Sequence, residues 1–76
     1  MNVIKIFPAG DSALVAEFGN QIDPDINDQV HALALLLKKQ HIPGILEMVP
    51  TFRSLLIHYD PLVLNYCTLE AEITKL

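Results

Sequence analysis

A chain of 76 residues has room for one small domain, and a hydrophobic share of 51% against 18% charged residues excludes a disordered polymer. Five Lys and Arg against nine Asp and Glu give a formal charge of −4, which argues against a phosphate-backbone partner, so no nucleic acid is expected. The single cysteine, Cys67, has no internal disulfide partner, and the longest apolar run, residues 32–37, falls far short of the roughly 20 residues that span a bilayer.

In chain order, residues 3–7 read as a short strand, interrupted only by Lys5. The N-terminus has no basic flank or long apolar run, and Pro8-Ala9-Gly10-Asp11 breaks it at once, so a secretory leader is not expected and a cytoplasmic protein with no membrane partner is. Pro8-Ala9-Gly10-Asp11-Ser12 is dense in turn residues. Residues 13–18 form a second strand closed by Gly19-Asn20, and the short connection predicts an antiparallel hairpin. Asp23-Pro24-Asp25 then starts a helix: Asp23 can cap free amides, Pro24 fits the first helical position and Asp25 suits the positive end of the dipole. Ile26, Val30, Leu33 and Leu37 fall on one helical stripe. Lys38, Lys39 and His41 suit the C-terminal end, and Pro43-Gly44 stops the helix. Residues 45–49 and 54–59 read as a second hairpin joined by Pro50-Thr51-Phe52-Arg53, and Asp60-Pro61 ends its last strand. Asn65 caps a final helix carrying Tyr66, Leu69, Ile73 and Leu76 on one side. The expected fold is α+β: a β-β-α-β-β-α two-layer sandwich in which an antiparallel four-stranded sheet carries two helices on one face.

Strand alternation divides the sheet residues. Ile4, Ile6, Leu14, Ala16, Phe18, Leu46, Met48, Leu55, Ile57 and Tyr59 are expected beneath the helices. The opposite set, Val3, Lys5, Phe7, Ala13, Val15, Glu17, Ile45, Glu47, Val49, Leu56 and His58, has only about one polar group per strand. A water-facing sheet surface is ordinarily mostly polar, so this face is expected to be a contact surface, with Val15, Ile45, Val49 and Leu56 as its apolar candidates. Leu35 lies roughly opposite Leu33 on the helix and joins the interface candidates.

Catalytic chemistry finds less support. His31, His41 and His58 have no metal-ligand spacing, and no paired Cys/His pattern exists, so no metal is expected. His58 could serve acid/base chemistry, but a hydrogen-bonded structural histidine is favoured. Cys67, near a helix start, could be an activated thiol, but burial as a small apolar side chain is favoured. Gly10-Asp11-Ser12 precedes a strand, whereas a phosphate cradle needs a helix N-terminus after it. Asp11 and Ser12 are expected to hydrogen-bond the turn backbone instead. Arg53 and Phe52, in the second connector, are interface candidates, because arginine and aromatic residues are enriched at binding hot spots.

Three segments carry a family resemblance. Pro8-Ala9-Gly10-Asp11-Ser12-Ala13-Leu14-Val15-Ala16-Glu17-Phe18-Gly19 resembles the opening of the KipI / allophanate hydrolase subunit 1 family, which includes the B subunit of 5-oxoprolinase (pyroglutamate hydrolase). Ile22-Asp23-Pro24-Asp25-Ile26-Asn27 looks like that family's first-helix start, and the run from Pro43 to Pro61 is similar to its second segment. The matching positions are Gly10, Asp11 and Ser12, then Thr51-Phe52-Arg53-Ser54, then His58 with Tyr59, Asp60 and Pro61; Phe52 stands where tyrosine is common. The resemblance implies a DCoH-like N-terminal domain over residues 1–76, with the family's cyclophilin-like C-terminal domain absent after Leu76. It implies no catalytic residue and no cofactor in this segment, any ATP requirement belonging to the assembly. The implied partners are the protein's own C-terminal domain or the other subunits of an ATP-dependent 5-oxoproline amide hydrolase. The family's alternative role is inhibition of a sensor histidine kinase by binding it.

Overall fold

The computed structural model describes residues 3, 5–19 and 23–76 of the chain. The expected inward placing of Ile4, the strand end at Asn20 and the motif position Ile22 lie outside the described residues. The elements run β1 (Lys5–Pro8), β2 (Ala13–Glu17), α1 (Pro24–Gln40), β3 (Ile45–Pro50), β4 (Ser54–Tyr59) and α2 (Tyr66–Lys75). The four strands form one sheet in the order β1-β2-β4-β3, every neighbouring pair antiparallel. Both edge strands, β1 and β3, end on a proline, which lacks a ladder donor and is tolerated at an edge.

The helix ends follow the capping chemistry in the sequence. Asp23 is extended and its Oδ1 accepts the Asp25 amide at 2.8 Å, with Pro24 opening α1. His41 closes α1 in the left-handed region, φ 50°, and its amide donates to the Lys38 carbonyl. Asn65 Oδ1 accepts the Thr68 amide at 2.8 Å and starts α2.

One core joins the layers. Leu14, Ala16, Phe18, Leu55, Ile57 and Tyr59 from the sheet meet Val30, Leu33 and Leu37 of α1, Leu64 of the last loop, and Leu69 and Ile73 of α2. Both helices therefore cover the same sheet face. The expected stripes hold: Ile26 packs beside the α1 residues, and Tyr66 and Leu76 beside those of α2.

In β3 the structure corrects the alternation. Ile45 pairs with Tyr59 and Glu47 with His58, so Leu46 is an inserted residue in a β-bulge. Ile45 consequently packs against the core, while Leu46 is turned outward and 70% exposed. An extra residue flips the side-chain phase by one, and strict period-2 counting misassigns both positions. Met48 and Val49 keep their expected faces.

The segment after β4 is built on Asp60. Its amide donates to the Gly44 carbonyl at 2.7 Å, its carbonyl accepts from Val63 and Leu64, and its Oδ1 accepts the Leu62 amide. On α2, the Tyr66 hydroxyl donates to Glu70 Oε2 at 3.4 Å. Desolvation, and then the adjacent Glu70 carboxylate, raise the Tyr66 phenol above its ordinary value of 10.0. A phenol that holds its proton more tightly when folded contributes stability fully below the unfolded value, and that contribution is lost as pH rises through the folded one. In an ultraviolet titration Tyr66 should therefore ionise later than free tyrosine, and Glu70→Gln should move that step toward lower pH.

Candidate functional site

On the sheet face away from the helices, the strand registers align apolar residues across all four strands. Phe7 pairs with Val15, Val15 with Leu56, and Leu56 with Val49. Phe7, Val15 and Leu56 are half-buried, and Val49 is exposed. Polar rows flank this one: Lys5 opposite Glu17 and Glu17 opposite Ser54 on one side, His58 opposite Glu47 on the other. The Lys5 ammonium lies 5.4 Å from the Phe7 ring centroid and covers the outer end of the row. Ala13, opposite His58, is buried.

The face thus brings together the candidates Val15, Val49, Leu56 and His58. It does not include Ile45, which lies on the helix side, or Leu35, which is 60% exposed on α1. His58 is half-buried, and the side-chain hydrogen bond expected of it is not among those of the described residues. Phe7 belongs to the row although hot-spot reasoning passes over it; its alternate position with Lys5 is the available signal.

Phe52 and Arg53 sit at the tip of the β3–β4 hairpin, Phe52 at 65% exposure. The tip is held by its own hydrogen bonds: Thr51 Oγ1 accepts the Ser54 amide at 3.0 Å and shares a 2.8 Å hydrogen bond with Ser54 Oγ. The Asn27 side-chain amide donates to the Thr51 carbonyl, and the Phe18 amide to the Arg53 carbonyl at 2.8 Å, so the tip is tied to α1 and to the end of β2.

The family-matching residues hold backbone geometry. Gly10, at φ 79°, sits in the β1–β2 turn, which the Ala9 amide closes on the Ala13 carbonyl; Ser12 contributes its carbonyl, accepting from Tyr59. The side-chain bonds expected from Asp11 and Ser12 are replaced by these backbone bonds, and both residues are exposed. Tyr59 is core, and Asp60 organises the turn that Pro61 enters. Cys67, expected to be buried, is exposed, because its position on α2 lies off the Leu69–Ile73 stripe.

Two further apolar surfaces escape a reading of the sequence. Leu62 is 94% exposed, and Val63 beside it is also exposed; the signal is an apolar pair placed straight after an Asp-Pro turn. A groove of about 680 Å³ runs between α1 and β3. Ala34, Leu35, Ile42, Ile45 and Met48 supply its apolar wall, and Leu46 lies at its side.

Among the described residues no group of three or more His, Cys, Asp or Glu could hold a metal ion. No helix among them is long and apolar enough to cross a membrane. The arrangement offers surfaces for contact.

Comparison with known proteins adds four likenesses. The family described as "Carboxyltransferase domain, subdomain C and D" matches residues 4–76. The B subunit of 5-oxoprolinase from Bacillus subtilis (strain 168) is 43% identical over 56 residues, covering 74% of this chain and 23% of that protein. Among solved structures, a conserved uncharacterized protein from Pyrococcus horikoshii matches 93% of this chain and 33% of its own, with a TM-score of 0.87 and 42% identity. The N-terminal domain of the histidine kinase inhibitor KipI from Bacillus subtilis matches 99% of this chain and 85% of its own, with a TM-score of 0.80 and 29% identity. The chain spans about a quarter of the curated relative and a third of the archaeal one.

Proposed function

Because this chain belongs to the family of the carboxyltransferase domain, subdomains C and D, we propose that it is the docking module of a protein resembling the 5-oxoprolinase B subunit. In that role it supports ATP-dependent hydrolysis of 5-oxoproline by holding a neighbouring domain or partner subunit rather than by supplying reacting groups. The likeness to the 5-oxoprolinase component supports the setting. One observation carries the docking role: the row Phe7-Val15-Leu56-Val49 crosses the whole sheet on the face the helices leave uncovered. Burying such a row against a neighbour removes apolar surface from water at about 25 cal/mol per Å², and the Lys5–Glu17 and His58–Glu47 rows form a polar rim around it.

The test places two carboxylates in the row, one inside it and one at its β3 end. Leu56→Asp with Val49→Asp, both outside the core, should leave the circular dichroism spectrum unchanged. Affinity for the other components of the 5-oxoprolinase assembly, measured by calorimetry, should fall about a hundredfold, as for a lost hot spot. Unchanged affinity in a folded variant would defeat the proposal. A complex that stays intact while Arg53→Ala or His58→Ala lowers 5-oxoproline-dependent ATP hydrolysis would instead place these residues at an active-site boundary.

A second reading, binding and inhibition of a sensor histidine kinase, is supported by the match to the KipI domain over nearly the whole chain. Under that reading the same double variant relieves inhibition of kinase autophosphorylation and leaves 5-oxoproline hydrolysis unaffected.

A further inference from the structure

We propose that this chain forms a reversible two-fold dimer through the open edge of β3, the second copy's β3 and α1 filling the groove. This edge lies beside the docking row and is independent of the function proposed for that row. β3 ends the sheet, and the hairpin's own hydrogen bonds fix which of its backbone groups are left over. The Thr51 amide donates across the hairpin to the Ser54 carbonyl. Backbone groups alternate in direction along an antiparallel strand, so residues 51, 49 and 47 turn toward β4, while Pro50 and Met48 turn to the open side. Pro50 has no donor to leave unpaired. Met48 therefore presents both an amide and a carbonyl outward, with no strand beside them among the described residues. A two-fold axis at Met48 satisfies both groups at once, by reciprocal hydrogen bonds to the second copy's Met48. The same register sets Glu47 opposite the second copy's Val49, so like charges do not meet across the new ladder.

The helix above this edge complements itself in the same way. α1 packs over β3 and β4, and its Ala34, Leu35 and Lys38 line one groove with Met48. Joining two sheets at β3 brings α1 alongside its counterpart, antiparallel and within reach of ridge-and-groove packing. An axis between Ala34 and Leu35 lays each Leu35 over the second copy's Ala34, large against small. It sets Lys38 across from the second copy's His31 and not from its Lys38. With histidine neutral, Lys38 and Glu47 are the charged residues of the lining, one of each sign, so two copies meet with balanced charge. An occupant of one charge sign finds no such match. Leu35 at 60% and Leu46 at 70% exposure dominate the apolar surface that the contact removes from water. With the half-buried Ala34, Ile42 and Met48 they leave roughly 400 Å² per copy, the size of patch that marks a contact site. Two such patches and their polar rims bury about 1,000–1,200 Å², the lower bound for a specific interface, which fits a dimer that dissociates on dilution.

The test is sedimentation equilibrium of this chain, combined with amide hydrogen exchange. The mass should be 8.5 kDa at low micromolar concentration and approach twice that value at millimolar. Over the same range the Met48 amide should slow its exchange by about tenfold or more, as its outward bond forms. Leu35→Asp, at an exposed position, should hold the chain at the single mass with an unchanged circular dichroism spectrum. Leu56→Asp, which disrupts the docking row, should leave the dimer intact; losing the dimer there would move the contact to the open sheet face and overturn the proposal. A single mass up to millimolar concentration, or a dimer that survives Leu35→Asp, would also overturn it. So would a Met48 amide that slows only when other components of the 5-oxoprolinase assembly are added, which would give the edge to a different protein.

Discussion

Gly44→Ala should destabilise the domain by about 2–4 kcal/mol, through backbone strain and overpacking acting together. Gly44 holds φ +100°, a region that L side chains rarely adopt, and a Cβ there would stand 2.6 Å from the Leu64 Cβ and 3.3 Å from the Leu64 amide nitrogen. The neighbour cannot easily yield. Leu64 is buried in the core, and its amide is bound to the Asp60 carbonyl, while the Asp60 amide is bound back to Gly44. A methyl group at 44 therefore presses on a closed hydrogen-bonded loop that links the start of β3 to the entry of α2. Gly10 is the matched control: its φ is +79°, and a Cβ there meets nothing within 4 Å. Gly10→Ala should cost about 1 kcal/mol, the conformational component alone. Urea denaturation of the two variants measures the difference, and equal midpoints would show that contact with Leu64 contributes nothing.

Leu69→Ala should cost about 3 kcal/mol. Leu69 is fully buried, and with Ile73 it supplies the buried side chains of α2. A helix of ten residues is too short to persist alone in water, so α2 exists because this stripe is held against the sheet. A chain of 76 residues has a total stability of about 4–11 kcal/mol, so the loss is a large share of the whole. Hydrogen exchange should show the α2 amides opening first, ahead of β2 and β4. Cys67→Ala, exposed on the same helix, should stay within about 0.5 kcal/mol of the parent. If both variants proved equally mild, α2 would not depend on its buried stripe.

The elements most legible in the sequence are those marked by more than one kind of signal. α1 combines an Asp cap, a proline at its first turn, an apolar stripe and terminal lysines, and all of these appear in the structure where expected. The family resemblance carried by residues 8–19 and 43–61 agrees with the matching family, with the 5-oxoprolinase B subunit and with the KipI domain. What the sequence hides depends on phase or exposure. The bulge at Leu46 carries no local marker, since Ile45 and Leu46 are both apolar and either could face the core. Residue type favours burial for Cys67, whereas its exposure follows from its angle around α2. The groove requires knowledge that β3 is an edge strand with α1 beside it, which follows from sheet order and not from any single segment. The open face is legible at Val15, Val49 and Leu56 because the ladders there are regular; its continuity through Phe7 emerges only with the registers.

The sheet order also governs when the molecule can become whole. β2 pairs with β4, joining Ala13 to His58 across most of the chain, while the strand that follows α1 is placed on the far side of β4. The first hairpin can close early because its contacts are local. The layer it belongs to has no centre until residues 54–59 arrive to lie between the two halves. During synthesis, α1 therefore leaves the ribosome before the surface that shelters Leu33 and Leu37 is complete, and the β2–β4 ladder converts a set of exposed fragments into a single cooperative unit.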